Sequence, residues 1–154
     1  MSDRQKREIQ DRESCLALLR TVRVGRLVFT EHARPAVEPV SFRLHRGQVV
    51  VRVAGAARLV TSVSDAFVVF EADEFDPDLQ YGWSVTVVGY ANLVADAAEI
   101  AELSETWLVP RSDGRHDRFI RVRTEKVTGR RLYPPLSPVS GGSAATPLAA
   151  RKDS

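Results

Sequence analysis

The chain has 154 residues, 44% of them hydrophobic and 27% charged, with a net charge of +2, which is enough for one domain with a real core. No apolar run approaches the roughly 20 residues of a membrane helix, and the charged start MSDRQKREIQDRES lacks the apolar segment of a signal peptide. Cys15 is the single cysteine, which excludes an intrachain disulfide and a metal site built on several cysteines, so a cytoplasmic protein with no membrane partner is expected.

Residues Asp3 to Thr21 carry an apolar stripe of Ile9, Leu16 and Leu19, with Cys15 and Leu18 nearby, at helical spacing. The stripe makes Cys15 a buried structural thiol rather than a nucleophile. A short strand follows from Gly25 to Thr30, then a turn at EHARPA. VEPVSFRLH reads as a second strand, in which Pro39 calls for an edge or a bulge. Arg46-Gly47 is a tight turn and QVVVRV a third strand. In AGAARLVTSVSD the period changes: Leu59, Val60 and Val63 sit at helical spacing, so strand three runs into a short helix. AFVVFEAD is a buried strand, EFDPDLQ an acidic loop and GWSVTVVGYANLVAD the longest strand. AAEIAELSETWL is helical, with Ile100, Leu103 and Trp107 on one side. VPRSDGRH is a loop, and RFIRVRTEKVTGRRL is a last strand or strand pair. From Pro134 the chain holds four of its eight prolines and is rich in Ser, Ala and Gly, the composition of a disordered tail.

Many short strands with turn signals suggest a barrel or a sandwich. Gly89, inside the longest strand, fits a barrel, where a strand must bend to close the sheet. The charge is unevenly spread. Leu59 to Pro110 has no Lys or Arg against ten acids, and Arg111 to Arg131 has eight basic residues against three acids. The basic run lacks the aromatic interleaving of a nucleic-acid surface, and no nucleic-acid partner is expected.

GxGxxG, the P-loop, HExxH and GxSxG are all missing. His32, His45 and His116 fall in or beside turns without metal-ligand spacing, so each reads as a solvated loop histidine and no metal is expected. What remains is an anion-binding arrangement. Arg52 ends strand three, Gly55 and Ala56 allow close backbone approach, and Arg58 lies in the first turn of the following helix, whose free N–H groups favour an anion.

The order RVGRLVFT, RPAVEPVSFRLHRGQVVVRVAGAARL, VVFEADEFDPDLQYGWSVTVVGYANLV and VTGRRL resembles the flavin-binding split β-barrel superfamily. Within it, the match is to the pyridoxamine 5′-phosphate oxidase-like group common in actinobacteria. The resemblance runs from about Cys15 to Leu132. It implies a mainly β (α+β) fold: a six-stranded antiparallel split β-barrel with a few short helices, forming a homodimer. Residues 1–133 would be the flavin-binding domain with its N-terminal helix, and 134–154 the tail.

By the same resemblance, two cofactor sites lie at the dimer interface and usually hold FMN. Pro39, Val40, Ser41 and Phe42 match the family's P-V-x-[YF] strand, which lines the flavin ring. Arg52, Val53, Gly55, Arg58 and Leu59 match its phosphate-binding segment, with Arg58 where the family usually has Lys. Trp83 and Ser84 open the strand that matches GWSV-x-V-x-G-x-A, beside the ring and ribityl chain. Arg118 or Arg121 would reach across the dimer. The basic C-terminal motif of true pyridoxamine phosphate oxidases, which grips the substrate phosphate, is missing from VTGRRLYPPLSP. The resemblance therefore implies an FMN-binding oxidoreductase acting on an unknown small substrate, with no side chain assigned as catalytic acid or base. The alternatives are a deazaflavin-dependent reductase and a barrel that binds a flavin or other ligand without turnover.

Overall fold

The computed structural model describes residues 5–54, 57–107 and 117–134. Eight strands and three helices follow in chain order: β1 (Gln5–Ile9), α1 (Arg12–Leu19), β2 (Val24–Glu31), β3 (Arg34–His45), β4 (Gln48–Ala54), α2 (Ala57–Val63), β5 (Ala66–Asp76), β6 (Tyr81–Leu93), α3 (Ala97–Thr106), β7 (Asp117–Val122) and β8 (Lys126–Tyr133). All pairings are antiparallel, in the order β1-β8-β6-β5-β2-β3-β4-β7, and β7 also pairs with β6. The last pairing closes a ring of six strands, β2 to β7, with β8 and β1 added outside it. This is the split barrel.

The split lies in β6. Its first part, Gly82 to Val88, pairs with β8, and its last part, Ala91 to Leu93, pairs with β7. Gly89 sits at the change of partner. There the chain between β7 and β8 crosses so closely that a Cβ on Gly89 would lie 1.7 Å from the Arg123 carbonyl oxygen. The crossing is held by Arg123 N–H donating to Tyr90 O at 3.0 Å and Tyr90 N–H donating to the Glu125 carboxylate at 2.8 Å. The glycine is needed for close backbone approach, which is the form its role in bending the barrel takes.

Alternation along each strand separates core from surface. Leu27, Phe42, Val51, Phe70, Val85 and Ile120 fill the barrel, while Cys15, Leu16 and Leu19 of α1 and Leu59, Val60 and Val63 of α2 join the same core. Cys15 is buried as expected, and burial raises its thiol pKa. A smaller core lies outside the ring, where Leu103 of α3 packs with Val50, Val94 and Phe119.

Four sequence expectations change. Gln5–Ile9 is a strand on the open edge of β8, so the first helix spans only Arg12–Leu19. Asp11 starts it by accepting from the N–H groups of Glu13 and Ser14, and the Ser14 hydroxyl bond, followed by these, lowers the Asp11 pKa. The acidic segment 74–80 is half strand, because the β5–β6 ladder continues to Asp76 and Tyr81. The turn at EHARPA narrows to His32-Ala33, both at positive φ, as a two-residue hairpin requires. His45 ends β3 in a half-buried position with Nε2 3.4 Å from the Glu99 carboxylate, so it is no solvated loop residue. Pro39 lies in the part of β3 that pairs with β2 alone, the edge position expected of it. The final segment is two strands. The glycine step at 55–56, the 109–116 loop with His116, and the tail from residue 135 lie outside the described residues.

Candidate functional site

Residues directly opposite in a ladder share a face. Across β2, β3, β4 and β7 the register sets Val24, Ser41, Arg52 and Phe119 in one row on the outside of the barrel. Trp107, at the end of α3, covers this row. Its indole N–H donates to Ser41 Oγ at 2.8 Å, and its ring lies 5.3 Å from that of Phe119. Arg52 donates from Nη2 to Asp117 at 3.0 Å, while its Nε is buried and has no partner among the described residues. A buried guanidinium N–H with nothing to bond is costly, and an anion on this row would satisfy it.

Beside this row lies a cavity of about 180 Å³ lined by Leu19, Arg20, Val22, Arg23, Arg43 and Leu44. Arg43 stacks over Trp107, 5.2 Å from the ring centroid. Burial, and then the charge of Arg23, lowers the Arg43 pKa. None of the three arginines has a carboxylate within ion-pair distance among the described residues, so the cavity is an electropositive extension of the Ser41–Arg52 row.

A second polar cluster sits elsewhere on the outer face. Arg26 bridges Glu71 at 3.0 Å and Asp73 at 3.3 Å, and Ser84 Oγ donates to Glu71 at 3.2 Å. Burial, then the hydrogen bond and charge of Asp73, pushes the Glu71 carboxyl up to about 7, against the opposing pull of Arg26. Next to the cluster, Val37, Val28, Val69 and Val88 stand directly opposite one another across β3, β2, β5 and β6. Val37 is 60% exposed, as are Val24 at 61% and Phe67 at 68%.

The ten residues singled out in the sequence divide. Pro39, Ser41 and Arg52 lie on the outer face as a ligand would need. The side chains of Val40, Phe42, Val53 and Leu59 turn into the core, Phe42 with its ring 4.6 Å from Phe70, and hold the strands rather than wall an outer ligand. Arg58 is largely exposed and bonds Glu31 at 3.2 Å, whereas Arg52 holds Asp117, so the two arginines grip different carboxylates. Trp83 and Ser84, being consecutive in a strand, face opposite ways: Trp83 inward, Ser84 out toward Glu71. Of the two arginines expected to reach across a dimer, Arg121 is held within the chain by Glu99, a bond that lowers the Glu99 pKa. Trp107, Arg43 and Glu71 were missed as site residues. Trp107 and Arg43 follow apolar and strand periodicity, and only long-range packing brings them to Ser41.

Comparison with known proteins agrees with this geometry. A family model described as pyridoxamine 5′-phosphate oxidase matches residues 11–131. An uncharacterized protein of Mycobacterium tuberculosis, Rv0080, is 38% identical over 127 residues, covering 79% of this chain and 83% of that protein. The solved structure of an FAD binding protein from Mycobacterium smegmatis is 32% identical, covers 82% of this chain and 97% of that one, and superimposes with a TM-score of 0.68. An FAD-binding protein from Mesorhizobium loti, 19% identical with a TM-score of 0.63 over 84% of this chain and 98% of that one, shares the fold. Six closed strands, a split at Gly89 and a match spanning nearly all the described residues lead to one assignment: the chain belongs to the pyridoxamine 5′-phosphate oxidase-like family.

Proposed function

We propose that this protein binds a flavin on the outer face of its barrel and acts as a flavin-dependent oxidoreductase on a small substrate. The observation that carries the reading is the Ser41–Arg52 row under Trp107, with its Arg52 Nε unpartnered among the described residues. Arg52 and Arg58 would neutralise the phosphate, and Ser41 would bond the ring or ribityl edge. Trp107 holds the Ser41 hydroxyl in place and supplies the aromatic wall that Phe42, inside the core, does not. The flavin would supply hydride or electron transfer, and the protein binding, orientation and electrostatics. The FAD binding relative from Mycobacterium smegmatis supports a flavin as the class of cofactor.

A homodimer completes the reading. Ser41 and Ser84 are three strands apart on one sheet, roughly 14 Å at the usual spacing, so one protomer does not bring both to one ring. Val24, directly opposite Ser41, and Val37 are exposed on this same face, which fits a second copy of it. Two-fold pairing would set the Ser41–Arg52 row of one protomer against the Ser84–Glu71 cluster of its partner.

The Arg20–Arg23–Arg43 cavity favours a second reading, in which the cofactor carries a longer anionic tail, as a deazaflavin does. The test is the visible spectrum of the protein as purified and after incubation with FMN, FAD or the deazaflavin followed by desalting. A retained flavin spectrum supports the first reading, and retention of the deazaflavin alone supports the second. Failure to retain any of the three refutes both. Steady turnover with NAD(P)H at about 1 per second or more would exclude a purely binding role.

A further inference from the structure

The largest cavity among the described residues lies away from the Ser41–Arg52 row. It occupies about 550 Å³ where the β5–β6 hairpin meets the end of β8. Its apolar lining is Phe75, Pro77, Tyr81, Trp83, Leu132 and Tyr133, with Trp83 as the nearly buried floor. Tyr81 and Tyr133 meet edge to face, their centroids 6.2 Å apart. Phe75 lies against the bare backbone of Gly82, where a Cβ would come 2.0 Å from its ring. Phe75 and Tyr81 remain 47% and 48% exposed, and Leu79 of the same hairpin 42%, so a contiguous apolar surface is left open to water.

The charges at the mouth balance. The register sets Glu74, Trp83, Arg131 and Arg7 directly opposite one another across β5, β6, β8 and β1. Arg7 lies over the Tyr133 ring, 5.4 Å from its centroid, and the Asp76 carboxylate accepts from the N–H groups of Asp78 and Leu79. Two arginines against two carboxylates favour an uncharged occupant, and the aromatic lining favours an apolar one. The chain itself supplies one. Its described part ends at Pro134, directly after Leu132 and Tyr133 of the cavity wall, and 20 residues follow. Residues 134–150 carry no charge, and they open PPLSPV. Proline-rich runs adopt the extended polyproline helix, with three residues per turn and a rise of about 3.1 Å. That period puts Pro135 with Pro138 on one edge and Leu136 with Val139 on another, over about 15 Å. Aromatic-lined grooves are the usual receptors for such a helix. We propose that residues 135–139 dock as a polyproline helix in this cleft of their own chain, covering Phe75 and Tyr81. The docking is separate from the anion-binding row and independent of whether that row holds a flavin.

The test uses the full chain and a tail variant of the same length, Pro135→Gly, Leu136→Ser, Pro138→Gly, Val139→Ser. The variant removes the segment's conformational preference and its apolar edge and leaves every residue of the barrel in place. A capped, fluorescein-labelled peptide PPLSPVSGG, residues 134–142, is titrated into each protein by fluorescence anisotropy. A segment tethered this close to its site has an effective concentration of about 1 mM, so with a dissociation constant of about 0.1 mM for the free peptide it fills its own cleft about ten parts in eleven. The peptide is therefore expected to bind the tail variant about tenfold more tightly than the parent. Tyr81→Ala added to the tail variant should weaken the peptide by about fivefold or more, as loss of an aromatic anchor does. Equal affinity for parent and tail variant, no saturable binding to the tail variant, or full binding after Tyr81→Ala would each overturn the proposal. So would a dimer mass in the parent that falls to one protomer in the tail variant, which puts the segment in the cleft of a second copy. Displacement of the peptide by FMN would overturn it too, since the cleft would then belong to the flavin site. Failure of FMN to bind leaves the peptide titration intact and bears only on the flavin reading.

Discussion

Replacing Gly89 with alanine tests how the barrel is closed. The new methyl carbon would lie 1.7 Å from the Arg123 carbonyl oxygen and 2.8 Å from its carbon, so the crossing chain must withdraw by about 1.7 Å to restore ordinary contact at 3.4 Å. That movement pulls on the Arg123 N–H bond to Tyr90 O, worth about 0.5–1.5 kcal/mol. Overpacking a tight site adds about 1–3 kcal/mol, for a total of about 1.5–4.5 kcal/mol. Against a domain stability of about 5–15 kcal/mol this is a large fraction. Urea unfolding at pH 7 measures it as a lower midpoint with an unchanged slope. Gly47→Ala is the control: Gly47 has φ of 75° and nothing within 4 Å, so alanine there meets only backbone strain of about 1–2 kcal/mol. A Gly89→Ala loss below about 1 kcal/mol, or no larger than that of Gly47→Ala, would refute the close-crossing account.

Arg52→Gln should weaken flavin binding by about 1–3 kcal/mol, the scale of a lost charge-assisted bond, as should Arg58→Ala; unchanged affinity by titration removes the residue concerned from the site. Val37→Asp places a charge at the exposed end of the valine row and should give a single-protomer mass in light scattering, where the parent protein gives twice that mass; a parent protein that is itself monomeric would defeat the two-fold site. Glu71 is held near 7 in the fold against an ordinary value of 4.5. Between those values the unfolded chain loses this proton while the folded chain keeps it, so the Glu71 contribution to stability falls as pH rises from about 4.5 to 7 and then levels. Thermal unfolding from pH 5 to 8 should show a smaller decline in Glu71→Gln than in the parent, and parallel profiles would remove Glu71 as the cause.

The chemistry of single strands and turns was legible in the residues themselves. Alternation marked the strands of the barrel, Pro39 marked an unpaired edge, and Gly89 marked a place where the longest strand had to accommodate another part of the fold. Cys15 was readable as a core residue because its neighbours repeat at helical spacing. These are local signals, set by backbone sterics and by which side chains avoid water. Gln5–Ile9 shows their limit: its apolar spacing extends a helical stripe, but an open β8 edge offers a full ladder of hydrogen bonds, and that long-range gain wins.

The same limit governs the site. Ser41, Arg52 and Arg58 carry chemistry that names them in the sequence, yet the strand period alone did not say that Phe42 turns into the core or that Trp83 and Ser84 part company. Trp107 reaches Ser41 across 66 residues of chain, Arg43 meets Arg20 and Arg23 only where α1 approaches β3, and Glu71 owes its raised pKa to burial beside Asp73. Residue types and their spacing determined the barrel class and the anion-seeking arginines. Which groups are left unpartnered, shielded from water or set face to face was decided by tertiary structure, because burial and cross-strand register arise only when distant segments pack.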